Sequence, residues 1–305
     1  MNTYLGIDIG GSSFKYGWGN SQDGLKFFGT LPIVKKNLAT FKNTAINVLH
    51  EAQSRFGLHK ISAIGVGTPG TIDWATGKTT GVNPNLPFWV KHSPQELIPA
   101  AYGLPVFYDN DANLMALAEA IAGKQQNILG LTVGSGIGGG IVVNGKIFRG
   151  KHGFAGELGH VCMVHDGAIC NCGKYGCLEA YASVDGLRNR LAKESLLYEK
   201  MELSMLLSIR LIDPLVECYL CEGAKLFSRA IANAITLVDP ESVIIGGGAM
   251  EIDMYSIPEL KKEVESCLPK ANIGRVELKK AVYGNKAGVM GAIILAEQSL
   301  IDVSE

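Results

Sequence analysis

The chain has 305 residues, of which 47% are hydrophobic and 19% charged, and its formal net charge is −1. This is the balance of an ordinary globular protein, and it gives no electrostatic reason to expect nucleic acid or an anionic membrane as a partner. The length predicts about two domains.

The N-terminal stretch MNTYLGIDIGG lacks the basic start and long apolar run of a signal peptide. No stretch of the sequence reaches the roughly 18 uninterrupted apolar residues that a membrane helix needs. We therefore expect a cytoplasmic protein. The seven cysteines are unevenly spaced, which in a reducing compartment favours a metal site or buried thiols over a disulfide framework.

The first third of the chain predicts the element order β-β-β-α-β-α-β-α. Apolar residues at helical spacing predict a helix over residues 38–56. Asp111 ends the strand PVFYDND and is predicted to cap the helix that follows. The predicted strands of this part lie at residues 4–8, 14–20, 25–33, 61–70 and 105–111.

The stretch ILGLTVGSGIGGGIVVNG, residues 128–145, predicts a strand, a glycine-rich turn and a second strand. It repeats the layout of YLGIDIGGSSFKYGWGN near the start, which indicates an internal duplication of an α/β unit. The elements predicted after it are a strand at IFRG, a cysteine-containing loop, helices within 183–237, a strand at 242–248, a helix near 258–267, a strand at 276–282 and a helix at 287–298.

Two matched glycine turns, one in each half of the chain, are candidates for a phosphate site. The backbone N–H groups of such a turn converge and bind an oxyanion, although a β-hairpin also needs glycine for its geometry alone. Asp8 ends the first strand, where a carboxylate can hold the water shell of Mg²⁺. A third turn at residues 246–248 suits contact with a base or ribose, and taken alone it is more often a simple helix start.

Polar residues also follow the predicted strand at 105–111. A carboxylate at a strand end and helix start is well placed for general base catalysis, and Asp111 occupies this position. Asp is a common N-cap, and for Asp111 alone the cap is the more frequent role. Asn110 beside it favours the functional interpretation, because the two side chains together can hold two neighbouring sugar hydroxyls.

The segment GELGHVCMVHDGAICNCGKYGCLE contains a tight group of metal-ligand residue types. His160, Cys170, Cys172 and Cys177 form a Cys₃His set, which suits tetrahedral zinc in a structural site. Three cysteines within eight residues, spaced by glycines, are an uncommon arrangement for ordinary buried thiols. Cys162 is an alternative ligand that we rank lower, because it alternates with apolar residues.

Together these segments resemble the ROK family of sugar kinases and repressors, within the actin-like ATPase superfamily. The resemblance runs from Gly6 to about Ala296, and AGELGH followed by CxCGxxGC is its most specific part. Ser12 stands where the family usually has Thr in DIGGT. Phe88 stands where NLPGW usually has Gly, near the sugar entrance, and so bears on substrate choice. The matching segments are GIDIGGSSFK, GVGTPG, NPNLPFW, NDAN, LTVGSGIGGGIVVNGKIFRG, AGELGH, CNCGKYGCLE, VIIGGG and AGVMGA.

The resemblance implies an α/β protein with two actin-like, ribonuclease H-like lobes around a central cleft. The small N-terminal lobe is expected at residues 1–112, completed by the C-terminal helix at about 287–305. The larger lobe is expected at 113–286. Its zinc-binding loop at 157–179 would form one wall of the sugar site.

By the same resemblance, Asp111 is the catalytic base of a kinase that transfers phosphate from ATP–Mg²⁺ to the 6-hydroxyl of a hexose. Zinc is implied as a structural ion on the Cys₃His set, with His160 also facing the sugar. The implied sugar-binding residues are Gly67, Asn85, Asn110, Asp111, Glu157, His160 and Glu179. The implied nucleotide-binding residues are Asp8, Gly10, Gly11, Ser12, Ser13, Lys15, Thr132, Gly134, Ser135, Gly136, Gly247 and Gly248.

Glucose is the first candidate substrate, and N-acetylmannosamine, fructose, allose and β-glucosides are alternatives within the family. Polyphosphate is an alternative donor. A sugar-responsive repressor is disfavoured because the first hairpin begins near residue 4, which leaves no room before it for a helix-turn-helix domain. An actin-like ATPase without a sugar substrate is disfavoured by the intact sugar residues. We expect a sugar and a nucleotide as ligands, no nucleic acid or membrane partner, and a homodimer or higher homo-oligomer.

Overall fold

The computed structural model describes residues 2–33, 37–81 and 86–304. By its internal contacts the chain divides into two compact units. Unit 1 comprises residues 1–124, 145–155 and 286–305, and unit 2 comprises residues 125–144 and 156–285. The lobes predicted from the sequence, with their limit after residue 112, are a different division and stay a prediction.

Strands and helices are numbered in chain order. The strands are β1 (Thr3–Ile9), β2 (Ser13–Asn20), β3 (Gly24–Pro32), β4 (Ile61–Thr68), β5 (Thr71–Asp73), β6 (Lys78–Thr80), β7 (Val106–Asn110), β8 (Ile128–Val133), β9 (Ile137–Val143), β10 (Lys146–Ile147), β11 (Ser242–Gly246) and β12 (Glu277–Lys280). The helices are α1 (Leu38–Arg55), α2 (Asp111–Ala122), α3 (Glu179–Ala182), α4 (Val184–Glu194), α5 (Leu203–Ile209), α6 (Pro214–Val238), α7 (Gly248–Glu251), α8 (Ile257–Cys267) and α9 (Ala287–Ser304). Within the described residues, no helix is both long and apolar enough to cross a membrane.

Unit 1 is built on a five-stranded sheet with the order β3-β2-β1-β4-β7. The strands β1, β2 and β3 form an antiparallel meander, whereas β4 and β7 run parallel to β1. Every residue of β1 is buried, as expected for a central strand with both faces covered. The strands β5 and β6 form a separate two-stranded ribbon.

Helix α9 lies directly on this sheet because glycines face it. A Cβ at Gly65 of β4 would overlap the carbonyl oxygen of Ala292 in α9. A Cβ at Gly291 of α9 would overlap the carbonyl oxygen of Leu114 in α2. Both glycines therefore allow contact at backbone distance, and the C-terminal helix becomes part of the core of unit 1.

Unit 2 repeats the arrangement of strands seen in unit 1. Its strands have the order β9-β8-β11-β12, with β8 and β9 antiparallel and with β11 and β12 parallel to β8. The matching strands of unit 1 have the order β2-β1-β4-β7. The topology therefore confirms the internal duplication that the two glycine hairpins indicated. The long helix α6 buries Leu220, Phe227 and Ile231 in the core of unit 2.

The prediction of a helix between β4 and β7 is wrong. The described residues there, 69–81 and 86–105, contain the β5–β6 ribbon and short 3₁₀ turns. Prolines precede or begin these turns, and proline lacks the N–H that a continuing helix needs. The strand predicted at IFRG is also too long, because the chain turns after β10 at Gly150, which has a φ of +69°.

Phe88 lies against the core of unit 1. Its half-buried ring meets the ring of Phe41 edge-on, with the ring centroids 5.5 Å apart. Phe41 is fully buried beneath it. The ring of Phe88 therefore contributes to packing, and the predicted effect on substrate choice is a separate question.

We expect Phe88→Gly to lower the free energy of unfolding by about 1–3 kcal/mol, less than the loss of a fully buried ring, because Phe88 is only half-buried. Urea denaturation measures this change, and Phe154→Gly, at an exposed phenylalanine of the same unit, is the matched control. An unchanged unfolding free energy together with an altered ranking of sugars would instead assign the ring to substrate choice.

Candidate active site

One row of residues crosses the sheet of unit 1 at the carboxyl ends of its parallel strands. Asp8 of β1 is in register with Gly67 of β4, and Gly67 is in register with Asp109 of β7. On the other side of β1, Asp8 is paired with Lys15 of β2. Ligand sites of α/β proteins lie at the carboxyl ends of such strands. The register therefore brings the predicted residues Asp8, Lys15 and Gly67 together.

Asp8 is a buried carboxylate with a cation nearby. Its side chain is 12% exposed, and the Nζ of Lys15 lies 3.8 Å from its Oδ2. Burial raises the pKa of Asp8 above its ordinary value, and the charge of Lys15 opposes this rise. Gly288 leaves space for the carboxylate, because a Cβ at that position would overlap it. A further cation beside this carboxylate would stabilise its ionised form.

We expect Asp8→Asn to be more stable than the parent protein at pH 7–8. A carboxyl group whose pKa is raised by folding lowers stability as the pH rises above its unfolded value of about 4, and this loss is complete above the folded pKa. The difference between variant and parent should therefore shrink as the pH falls towards about 4.

Thermal unfolding of the parent and of Asp8→Asn over this pH range measures the change in stability. Asp302→Asn removes an exposed carboxylate of the same unit and serves as the control. A variant that is less stable than the parent at neutral pH would contradict the argument, since it would mean that the ionised carboxylate stabilises the fold.

The first glycine turn joins β1 to β2. The N–H of Gly10 donates to the carbonyl of Ser13 at 2.8 Å and closes the turn around Gly11 and Ser12. Ser12 is exposed, and the other three residues are half-buried. The turn is thus accessible beside the end of β1, where the predicted phosphate site requires it.

Helix α2 begins at Asp111, and its N-cap is Asn110. The Oδ1 of Asn110 accepts hydrogen bonds from the N–H groups of Ala112 and Asn113, at 2.9 and 3.3 Å. The Nδ2 of Asn110 donates to the carbonyl of Gly70 at 3.1 Å. The prediction that Asp111 caps the helix is therefore wrong. Asp111 is the first helical residue, half-buried at the positive end of the helix dipole.

An ion pair between a buried carboxylate and a half-buried arginine, which the sequence analysis missed, supports the start of α2. Asp109 is 1% exposed, and its Oδ2 accepts from the Nε of Arg149 at 2.6 Å. Its Oδ1 accepts from the Nδ2 of Asn113 and from the N–H of Asn110, both at 2.8 Å. Asp109 therefore holds the backbone and the side chains on both sides of the first turn of α2.

We expect Arg149→Met to lower the free energy of unfolding by about 1–3 kcal/mol, because it leaves the carboxylate of Asp109 buried without its cation. The double variant Asp109→Asn with Arg149→Met should recover part of this loss. Urea denaturation measures both, with Lys151→Met at a nearby exposed position as the control. If Arg149→Met and Lys151→Met have equal effects, the ion pair does not support α2.

The second glycine turn, between β8 and β9, contacts a predicted sugar ligand. The N–H of Gly134 donates to the carbonyl of Gly136 at 2.9 Å, and Ser135 between them is exposed. The N–H of Ile137 donates to the Oε2 of Glu179 at 2.9 Å. A Cβ at Gly136 would overlap the same carboxylate. Gly136 is therefore needed to place Glu179, in addition to its predicted role at a phosphate.

The turn after β11 is held against the end of β8. Gly246 of β11 is in register with Thr132 of β8. Gly247 has a φ of +96°, and a Cβ there would overlap the backbone of Val133. Gly248, which begins α7, has open space where a Cβ would lie. The predicted nucleotide residues of unit 2 therefore lie together at the ends of β8 and β11.

The segment that carries Glu157 and His160 rests on β9. A Cβ at Gly159 would overlap the carbonyl oxygen of Ile137, so the backbones are in contact. The N–H of the same Ile137 is bonded to Glu179, so one residue of β9 contacts both the backbone of the segment that carries Glu157 and His160 and the side chain of Glu179. Burial raises the pKa of Glu157, and the nearby His160 opposes this rise.

Four donor atoms of His160, Cys170, Cys172 and Cys177 lie within 4.8 Å of one another. The Nδ1 of His160 is 3.7 Å from the Sγ of Cys170, and the two Sγ atoms of Cys172 and Cys177 are 3.7 Å apart. A tetrahedral zinc ion with bonds of about 2.0–2.3 Å places its ligand atoms roughly 3.5–3.8 Å apart. The donor set therefore fits zinc in chemistry and in spacing, and Cys162 is not part of it.

The ring of His160 has a different neighbour on each side. Its Nδ1 faces Cys170, whereas its Nε2 lies 3.9 Å from the Oε2 of Glu157. The thiol of Cys170 also donates to the Oε1 of Glu179 at 3.5 Å. The four predicted metal ligands and the two predicted sugar carboxylates are therefore adjacent.

The predicted site residues fall into two groups according to their unit, and Asn85 lies outside the described residues. Unit 1 contains Asp8, Gly10, Gly11, Ser12, Ser13, Lys15, Gly67, Asn110 and Asp111. Unit 2 contains Thr132, Gly134, Ser135, Gly136, Glu157, His160, Cys170, Cys172, Cys177, Glu179, Gly247 and Gly248.

The sequence profile of the ROK family matches residues 4–299. The chain belongs to the ROK family. A relative of this ROK protein, a glucokinase of Halalkalibacterium halodurans, is 32% identical and aligned over 97% of this chain and 95% of its own. An N-acetyl-D-glucosamine kinase of Pasteurella multocida is 31% identical, over 95% of this chain and 98% of its own.

A crystal structure supports the same family assignment. It is that of a ROK family glucokinase from Streptomyces griseus in complex with glucose and AMPPNP, and it matches this ROK protein with a TM-score of 0.80 at 26% identity. The match covers 97% of this chain and 100% of that chain. This ROK protein therefore has the α/β fold of the family and is a sugar kinase.

Proposed function

We propose that this sugar kinase transfers the γ-phosphate of ATP to the 6-hydroxyl of a hexose, with glucose as the first candidate. Glucose comes first because the relative at 32% identity is a glucokinase and the glucokinase structure contains glucose and AMPPNP. N-acetylglucosamine is the second candidate, because the relative at 31% identity is a kinase for that sugar.

The position of Asp111 is the observation that carries the proposal. Asp111 is the first residue of α2, beside the cap formed by Asn110. The buried carboxylate of Asp109, paired with Arg149, holds the backbone next to it. A carboxylate that is fixed in this way at a helix start is suited to accept a proton from a bound hydroxyl group.

In the proposed mechanism, Asp111 accepts the proton of the 6-hydroxyl while that oxygen attacks the γ-phosphorus in line. Backbone N–H groups of the two glycine turns stabilise the charge on the phosphoryl oxygens. Mg²⁺ that accompanies ATP would supply positive charge at the phosphates, and Asp8 is the carboxylate suited to its water shell. Glu157 and Glu179 orient the sugar by accepting hydrogen bonds from its hydroxyl groups. His160, whose Nδ1 faces the metal set, donates its Nε2–H to a sugar oxygen.

We propose a structural zinc ion on His160, Cys170, Cys172 and Cys177, which the spacing of the four donor atoms supports. Four protein ligands complete a tetrahedral shell, so the ion has no open position for a substrate. Its role is to order the loop. Because Glu179 contacts Cys170, the order of the loop determines the position of the sugar carboxylates.

The experiment that tests the proposed function is a coupled assay of ADP release from the purified protein against a sugar panel. The panel contains glucose, N-acetylglucosamine, N-acetylmannosamine, fructose, allose and a β-glucoside, each with ATP as the donor. With polyphosphate as the donor no ADP is formed, so the sugar phosphate itself is measured. We expect the highest kcat/KM with glucose and ATP. ATP turnover that does not depend on any sugar would contradict a kinase, and a higher kcat/KM for another sugar would replace glucose.

A further inference from the structure

A short antiparallel pairing crosses the cysteine loop of unit 2. The N–H of Leu178 donates to the carbonyl of Val161 at 2.9 Å, and the N–H of Met163 donates to the carbonyl of Gly176 at 2.7 Å. These two bonds flank the facing pair of residues 162 and 177, which form an isolated antiparallel bridge. Both residues of this pair are cysteines.

The geometry of this bridge favours a covalent bond between the two sulfurs. The flanking bonds make Cys162 and Cys177 a non-hydrogen-bonded pair, in which the Cα atoms are about 4.5 Å apart. Directly opposed residues of an antiparallel pair project to the same face. A disulfide needs a Cα separation of about 4.4–6.8 Å, so the backbone already has a suitable arrangement.

The two sulfurs differ in access to solvent. Cys162 is exposed, whereas the side chain of Cys177 is buried. Gly176, next to Cys177, has a φ of +76°, and a Cβ there would overlap the carbonyl oxygen of Val164 and lie 3.2 Å from the Sγ of Cys162, so the backbone passes close to that sulfur. Because Cys162 is exposed, a small oxidant reaches it before Cys177. The thiol of Cys177, directly opposite, can then react with the oxidised sulfur.

We propose that Cys162 is an oxidation site for hydroperoxides and that it forms a disulfide with Cys177. In the first step, the sulfur of Cys162 attacks a peroxide oxygen and the O–O bond breaks, which yields a sulfenic acid and one water from hydrogen peroxide. In the second step, the sulfur of Cys177 attacks that sulfur and the S–O bond breaks. Because Cys177 would be a thiolate in the metal-loaded loop, the hydroxide that leaves takes its proton from solvent and forms a second water.

The disulfide removes Cys177 from the metal set. The three remaining donors, His160, Cys170 and Cys172, are one ligand short of the closed tetrahedral shell that suits structural zinc. The free energy of metal binding contributes to the local folding of the loop. The oxidised loop is therefore expected to release the ion and lose its order. The further loss of sugar phosphorylation rests on the proposed function of Glu157 and Glu179, whereas the disulfide itself rests only on the backbone geometry.

The test treats the purified full-length protein with hydrogen peroxide. Peptide mapping by mass spectrometry identifies the linked cysteines, a chelating dye measures released zinc, and the coupled assay follows sugar phosphorylation. Cys162→Ser removes the proposed oxidation site and leaves the four metal-ligand residues intact. Cys267→Ser, at an exposed cysteine outside the loop, is the matched control.

We expect the parent and Cys267→Ser to form a peptide that links residues 162 and 177, with release of zinc and loss of activity that a thiol reductant plus zinc reverses. Cys162→Ser should resist inactivation at least about fivefold longer, since its first reacting thiol is absent. A linked peptide with retained activity supports the oxidation site and rejects the proposed role of the loop in sugar binding. A link between Cys172 and Cys177, or inactivation of Cys162→Ser at the parent rate, overturns the proposal.

Discussion

Asp111→Asn is expected to lower kcat by roughly a hundredfold or more, as the loss of a general base does. The two side chains have almost the same volume. Asparagine can still accept the hydrogen bond that the Ala112 N–H gives to the carboxylate at 2.9 Å, but it cannot accept a proton from the substrate. Because Asn110 is the N-cap, α2 keeps its start and thermal stability should change little.

The measurement for Asp111→Asn is kcat and both KM values in the coupled assay, with thermal unfolding to check the fold. Asp302→Asn is the matched control, because its carboxylate is exposed and pairs with Lys146 at 2.9 Å in the same unit. The control should leave kcat unchanged. A kcat for Asp111→Asn within a few-fold of the parent would remove Asp111 as the base.

Cys172→Ser is expected to remove zinc and sugar affinity together while nucleotide affinity is largely retained. The variant loses one of four ligands, and the loop loses the free energy that metal binding contributes to its folding. Glu157, His160 and Glu179 then shift together, and a displacement of about 1 Å can lower the rate roughly a hundredfold. The glycine turns of the proposed nucleotide site lie outside the loop.

Zinc content per chain, sugar affinity and nucleotide affinity are measured for Cys172→Ser and for the parent. Cys267→Ser, which removes an exposed thiol outside the loop, should match the parent in all three. The proposed zinc loop fails if the parent holds no stoichiometric metal. It also fails if Cys172→Ser loses zinc and phosphorylates sugar at the parent rate.

The start of α2 shows what local sequence patterns can and cannot predict. The sequence placed the helix after Asp111 correctly, but it assigned the cap to the wrong neighbour. Asp and Asn are both good N-caps, so propensity alone does not separate them. The choice depends on the bond from Asn110 to Gly70, which lies 40 residues earlier in the chain. A contact of this kind exists only after β4 and β7 have paired.

Local sequence patterns also did not predict the ion pair of Asp109 and Arg149. Asp109 lies in the sequence group DND at the end of an apolar strand. A charged residue in this position indicates that it has a buried partner. The partner, however, lies 40 residues later, in a segment that the sequence analysis assigned to a strand. Periodicity gives no information about which distant cation meets a buried carboxylate.

The sequence by itself determined the two glycine hairpins, the extent of helices α1 and α8, and the close set of metal-ligand residue types. The residues of each feature are neighbours along the chain, so short loops bring them together at a small loss of entropy. Only the tertiary structure decided the row of Asp8, Gly67 and Asp109, and the bond from Ile137 to Glu179. Strand register sets such contacts, and register depends on the burial of whole strands and on the helices that cover them.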